Sequence, residues 1–215
     1  MTYLQLVNAV LRRLRETEVS SVSDNAYSKM IGDFVNDAKR NVEDSYNWNA
    51  LYDTLSATTT NDIFNYVLEG SGQRFRVVDI LNDSSNWFLQ EKSTSWFDQQ
   101  FLLTSPQKGS PMYYNFNGVD SNGDTQVDIY PIPDGAYNLR FNIVLPQPLL
   151  ENNTDVVKVP YEPVIFLAYA KALAERGEDG GLASGEAAQL YRQSLADAIA
   201  IESGRYGEES QFYWV

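Results

Sequence analysis

The run from Met112 to Leu145, MYYNFNGVDSNGDTQVDIYPIPDGAYNLRFNIVL, restricts the fold more than any other part of the chain. It reads as three short strands separated by two turns. In the last strand Tyr137, Leu139, Phe141, Ile143 and Leu145 fall on one face, and Asn138, Arg140 and Asn142 on the other. That alternation is the period of a strand with one buried face. Ser121-Asn122-Gly123-Asp124 holds an Asn-Gly pair, the preferred centre of a tight hairpin turn, and Pro133-Asp134-Gly135 is a second turn signal. Helical sequence lies on both sides. The fold class expected is therefore α+β, with a β-rich insert in an α-helical frame.

Composition narrows the chemistry. A length of 215 residues suits one large domain or two small ones, and 43% hydrophobic and 13% aromatic residues give an ordered core. With 29 acidic against 16 basic residues, the formal charge of −13 opposes adhesion to nucleic-acid phosphate. The chain has no cysteine and no histidine. That excludes disulfides, thiolate nucleophiles, Cys/His zinc sites and Ser-His or Cys-His catalysis within the chain. MTYLQLVNAVLRRLRE lacks the pattern of a signal peptide. The longest apolar run, Val164 to Ala170, falls well short of the ~20 residues a bilayer span needs. A soluble protein with no membrane contact is expected, one that stays in the compartment where it is made.

Helical periodicity marks four segments. Residues 2–16 repeat Leu4, Val7, Leu11 and Leu14, with Arg12, Arg13 and Arg15 in the last turn, where positive charge suits the helix dipole. Ser23 or Asp24 caps a second helix, about Asn25 to Tyr46, with an apolar stripe of Tyr27, Met30, Ile31, Phe34, Ala38 and Val42. Trp48 reads as buried where that helix ends. A third helix starts near Pro160 or Pro163 and stops at Gly177. The fourth runs from about Ser184 to Ser203 with Ala187, Leu190, Tyr191, Leu195, Ala198 and Ile199 inward.

Between the second and third helices the pattern changes. Thr54–Thr60 and Ile63–Leu68 read as strands joined hairpin-fashion through Asn61-Asp62. Arg74–Leu81, apolar on both faces, reads as a central strand, Trp87–Gln90 as another, and Val156–Val159 as a short last one. Ser93–Leu103 shifts to a helical period, capped by Ser93 or Thr94. The expected division is a discontinuous four-helix domain (1–50 and 160–204), a central antiparallel β-rich domain (51–159) and a tail (205–215).

No catalytic or metal constellation stands out. Asp120-Ser121-Asn122-Gly123-Asp124 touches a calcium-loop pattern, but its glycine comes too early and the closing glutamate is missing, so it reads as a turn. Gly70-Ser71-Gly72-Gln73-Arg74 lacks a P-loop lysine and opens a strand. Glu175, Glu178 and Asp179 read as solvated charge at a helix end. Arg12, Arg13 and Arg15 read as a solvated face, with pairing to acids of a neighbouring subunit as the alternative. Phe212-Tyr213-Trp214-Val215 is the most informative candidate. Three adjacent aromatics at a chain end either fold onto their own core or dock on a partner, and docking is the reading adopted.

The wording of the chain resembles a family. TYLQLVNAVLRRLRE, FVNDAKRNVEDSYNWNAL, the TTT hairpin, GSPMYYNFNGVDSNGDTQVDIYPIPDG and ALAERGEDGGLASGEAAQLY together resemble the head-to-tail adaptors, or tail tubular proteins A, of short-tailed bacteriophages. VDIYPIPDG is the most telling phrase. The resemblance implies a virion protein of the phage tail, assembled in the host cytoplasm. It implies a homo-oligomeric, dodecameric ring between the portal protein and the tail nozzle protein, with tail fibres as a further neighbour. Double-stranded DNA would pass through the lumen without specific binding, and no cofactor or catalytic residue is implied. The competing readings are a glycan-degrading enzyme using two carboxylates and a receptor-binding β module.

Overall fold

The computed structural model describes residues 1–102, 105–177 and 181–205. The chain is α+β, and the described residues form five α-helices and two antiparallel-rich sheets. It divides into two units: Met1–Leu51 together with the chain from Pro146 onward, and Tyr52–Leu145.

The helical unit begins with α1 (Tyr3–Arg13), whose start is fixed by a capping box. The Thr2 side chain accepts from the Gln5 N–H, and the Gln5 side chain accepts from the Thr2 N–H, so two otherwise orphaned donors are satisfied. Arg15 has a φ of 60° and lies beyond the helix, in the turn that ends it. A second capping box opens α2 (Ala26–Ser45), with Asn25 as the cap and Ser28 as its partner. The expected caps act elsewhere: Asp24 accepts the Ser20 and Ser21 N–H groups of the preceding loop.

The buried face of α2 is also turned from the expected stripe. Ile31, Val35, Ala38 and Val42 are fully buried, whereas Met30 and Phe34 are only half-buried. Gly32 explains the turn. A Cβ there would lie 2.4 Å from Tyr3 Oη and 2.8 Å from Val22 Cγ1, so α1 and its loop approach the backbone of α2 at the one residue that leaves room.

Helix α4 (Tyr161–Arg176) follows Pro160 and ends at Gly177, whose left-handed φ of 65° lets its N–H reach the Leu173 carbonyl. It packs against α1, α2 and α5 (Leu182–Arg205). Its buried Ala168, Ala170 and Ala172 permit close approach. The segment 146–159 groups with these helices because their side chains hold its backbone. Asn36 Nδ2 donates to the Leu150 carbonyl at 3.0 Å, and the Leu150 N–H donates to Asn36 Oδ1 at 2.9 Å. The expected strand at 156–159 is reduced to one bridge, Val156 with Thr2. Leu150, Val157 and Val159 add to the helical core instead.

The β unit is two four-stranded sheets sharing one core. The first runs in the order β1 (Tyr52–Thr58), β8 (Asn138–Val144), β3 (Arg76–Asn82), β4 (Trp87–Phe88). The second runs β2 (Asn65–Val67), β7 (Thr125–Tyr130), β6 (Tyr113–Val119), β5 (Gln90–Glu91). Ile80, Leu139, Phe141 and Ile143 from one sheet and Tyr114, Val127 and Ile129 from the other bury together. The expected β1–β2 hairpin does not form: β1 pairs with β8 and β2 with β7, in different sheets. A turn signal sets a change of direction but not the partner. Trp87–Gln90 likewise splits between the sheets at buried Leu89. The opening run keeps its three strands, with β6 and β7 a hairpin and β8 crossing to lie between β1 and β3. Helix α3 (Thr94–Phe101) is capped by Ser93 and buries Phe97, with Trp96 edge-on to Tyr113 and Tyr130.

Candidate interaction surfaces

A groove in the helical unit has a volume of about 620 Å³. It lies along α5 and the start of α4. Trp48 forms part of its wall, held by a hydrogen bond from Nε1 to the Val42 carbonyl at 2.6 Å and by the edge of Tyr46 at 5.5 Å. Phe166, Leu190 and Ile201 add apolar surface, and Lys158, Asp197 and Arg205 add charge. Buried Glu202 ties the end of α5 to the Trp48 turn, accepting the Asn49 N–H at 2.9 Å and pairing with Arg205 at 3.3 Å.

Helix α5 itself is incompletely covered. Of its 24 residues only Ala187 and Glu202 are buried. Leu190 keeps 48% of its surface in solvent and Ile201 65%. Tyr191, Leu195, Ala198 and Ile199, expected inward, are half-buried. Of the expected stripe only Ala187 is buried, and Leu190 is exposed, because the rest of the helical unit covers α5 only in part. Among the described residues, Leu190 and Ile201 are large apolar side chains left exposed on one side of α5, with Ser194 and Asp197 between them.

All three arginines are exposed, each in a different setting. Arg12 pairs with Glu18 at 2.9 Å, with both side chains about half exposed. Arg13 donates to the Ala9 carbonyl and lies 5.4 Å over the Phe166 ring, a cation–π contact that ties α1 to α4. Arg15 is exposed beyond the helix end. Arg176, which the sequence gave no reason to select, is more deeply placed. It donates to Tyr27 Oη at 2.9 Å and to Glu16 at 2.5 Å, and these contacts hold its pKa above the usual arginine value against the opposing effect of burial. Phe212, Tyr213, Trp214 and Val215 lie outside the described residues, as do Glu178 and Asp179.

The turn acids act on the backbone. Asp120 accepts the Asn122 and Asp124 N–H groups, and Asp124 accepts the Gly72 N–H. Bonds from the Gly72 and Gly70 N–H groups hold the Asp124 carboxyl below its ordinary pKa. Asp134 accepts from the Tyr137 hydroxyl at 2.6 Å. Among the described residues no group of three acids is placed to hold a metal ion, and no helix is long and apolar enough to cross a membrane.

Exposed Leu190 and Ile201 beside an open groove fit a chain that contacts other proteins. The chain matches the family model described as SU10 adaptor protein over residues 1–211, and it belongs to that phage adaptor family. No curated protein matches it. The resemblance to phage head-to-tail adaptors is thus shown at the level of the family. The protein is a structural adaptor of a phage, a virion component that works by contact with other head and tail proteins.

Proposed function

We propose that this adaptor forms a closed homo-oligomeric ring, a dodecamer, between the portal protein and the tail nozzle protein, and that the genome leaves through its lumen. The observation that supports this reading is the pair of exposed apolar side chains on α5, Leu190 and Ile201, because a ring of heterologous contacts needs a contact surface on every copy. The helical unit meets the portal and the β unit faces the nozzle, with tail fibres as a further neighbour. Arg12 and Arg13, exposed on α1, and Arg15, in the turn after it, supply subunit contacts. The aromatic segment Phe212–Val215 docks on the portal. The charge of −13 suits a lumen through which double-stranded DNA slides without adhering. The reading requires no catalytic residue, cofactor or membrane.

The test is assembly. Electron microscopy of the purified protein mixed with portal is expected to show closed rings docked on portal. The variant Leu190→Asp/Ile201→Asp is expected to keep its helical circular dichroism and to lose the rings. A variant that still assembles, or a wild-type protein that stays monomeric beside portal, overturns the reading.

A further inference from the structure

We infer that Asp53 is a gatekeeper: its carboxylate closes the outer edge of β1 and keeps a second copy of the chain from pairing with it. The four sheet edges are unequal. β1 and β4 end one sheet, β2 and β5 the other. β2 has three residues and β4 and β5 two each, too short to template a long pairing, whereas β1 runs seven residues, Tyr52–Thr58. Its register with β8 is unbroken from Tyr52↔Val144 to Thr58↔Asn138. The strand holds no proline and no lysine, and Tyr52, Asp53, Thr54, Ser56 and Thr58 are exposed. An edge of this length and regularity is a template for another strand.

Hydrogen bonding at the end of the ladder fixes which groups β1 offers. The Thr59 N–H donates to the Tyr137 carbonyl, while the Asn138 carbonyl accepts from the Asp83 N–H, on the β3 side. Main-chain direction alternates along an antiparallel pair. Asp53, Leu55 and Ala57 therefore bond to β8, and Tyr52, Thr54, Ser56 and Thr58 turn their N–H and carbonyl groups away from it. Among the described residues no strand pairs with that side. Asp53 Oδ1 accepts the outward Thr54 N–H at 2.8 Å. An incoming strand needs that N–H for its own ladder, so pairing must first break a hydrogen bond to a carboxylate. The occupant that fits the edge is β1 of a second copy, because the other edges are too short to match its length. The inference does not rest on the ring, since a β1–β1 contact is isologous and closes after two copies.

Sedimentation velocity over a range of protein concentrations tests this, in high salt to screen the charge of −13 on each copy. The wild-type curve carries any association through other surfaces. Asp53→Ala is expected to lower the concentration at which copies pair by about tenfold, since the bond to the carboxylate no longer has to be broken. Asp53→Asn loses the same charge but keeps an acceptor for the Thr54 N–H, and is expected to pair less than Asp53→Ala. Asp53→Ala/Ser56→Pro lacks an outward N–H at the middle of the edge and is expected to return to the wild-type curve. Thr58→Pro in place of Ser56→Pro repeats that control at a second outward N–H. Circular dichroism is expected to stay unchanged throughout. An Asp53→Ala protein that pairs no more readily than wild type overturns the inference. Pairing that survives both prolines places the contact elsewhere and overturns it too, as does an Asp53→Asn protein that behaves like Asp53→Ala.

Discussion

Lys39 and Glu43 stand one turn apart on α2 with Nζ and Oε1 separated by 3.0 Å, and neither side chain is exposed to solvent. Both also hold the segment that returns from the β unit: Lys39 Nζ donates to the Gln147 carbonyl at 2.6 Å, and the Gln147 N–H donates to Glu43 Oε1 at 3.2 Å. Removing one charge leaves the other in a low-dielectric interior. Lys39→Met is expected to destabilise the fold by about 3–5 kcal/mol, read as a lower midpoint in urea. The double variant Lys39→Met/Glu43→Leu removes both desolvation costs and is expected to recover most of that loss. A double variant worse than Lys39→Met would show that the pair itself, and not the orphaned charge, carries the effect.

Gly32 gives a case in which two effects oppose. Alanine in a helix interior is favoured over glycine by about 1 kcal/mol. The added methyl would sit 2.4 Å from Tyr3 Oη, and overpacking of this kind costs about 1–3 kcal/mol. Gly32→Ala is therefore expected to lower the melting temperature, and adding Tyr3→Phe, which removes the clashing oxygen, to restore part of it. A Gly32→Ala protein that melts higher would refute the close approach.

Asn36 closes two hydrogen bonds on the Leu150 backbone inside the helical unit. Asn36→Leu would strand a buried N–H and a buried carbonyl, each costing about 1–3 kcal/mol. Hydrogen exchange at the Leu150 amide is expected to accelerate more than exchange in the middle of α4. Equal acceleration at both would mean global unfolding and no clamp.

The loop carboxylates set the acid limb of stability. Asp24 is held below its ordinary pKa by the Ser21 N–H and then the Ser20 hydroxyl, and Asp155 by the Asn152 and Glu151 N–H groups. A carboxyl whose folded pKa is depressed stabilises the fold fully above its unfolded pKa. That contribution is lost as the pH falls through the carboxylate range toward the lowered folded value. Stability is expected to decline below about pH 4, and Asp155→Asn to flatten the decline. Parallel curves for the two proteins would remove Asp155 from the linkage.

The long helices were legible because their apolar residues recur at helical spacing and their ends carry chemistry. Gly177 stops α4 where the sequence places the stop, and Ser93 caps α3. The alternation of β8 was equally plain, and Leu139, Phe141 and Ile143 are buried as it required. Strand partnership was not legible, since β1 and β2 are neighbours in sequence and carry nothing local that sends them to different sheets. The role of two asparagines was not legible either. Asn8 and Asn36 look like helix-weakening residues, yet each clamps a distant backbone segment, at Val19 and at Leu150. Lys39 and Glu43 do fall in register with Ile31, Val35 and Val42, a signal that was available but masked by their charge. The groove could not be read at all, because its lining comes from segments around Trp48, Pro160 and Ile201 that only the fold brings together.

Tyr52 and Val144 are partners in the β1–β8 ladder, so the chain enters and leaves the β unit at neighbouring positions. A single short turn could join Leu51 to Pro146 in its place. Genetically, this makes the β unit a cassette: one recombination event can exchange, enlarge or delete it without cutting a helix of the host unit.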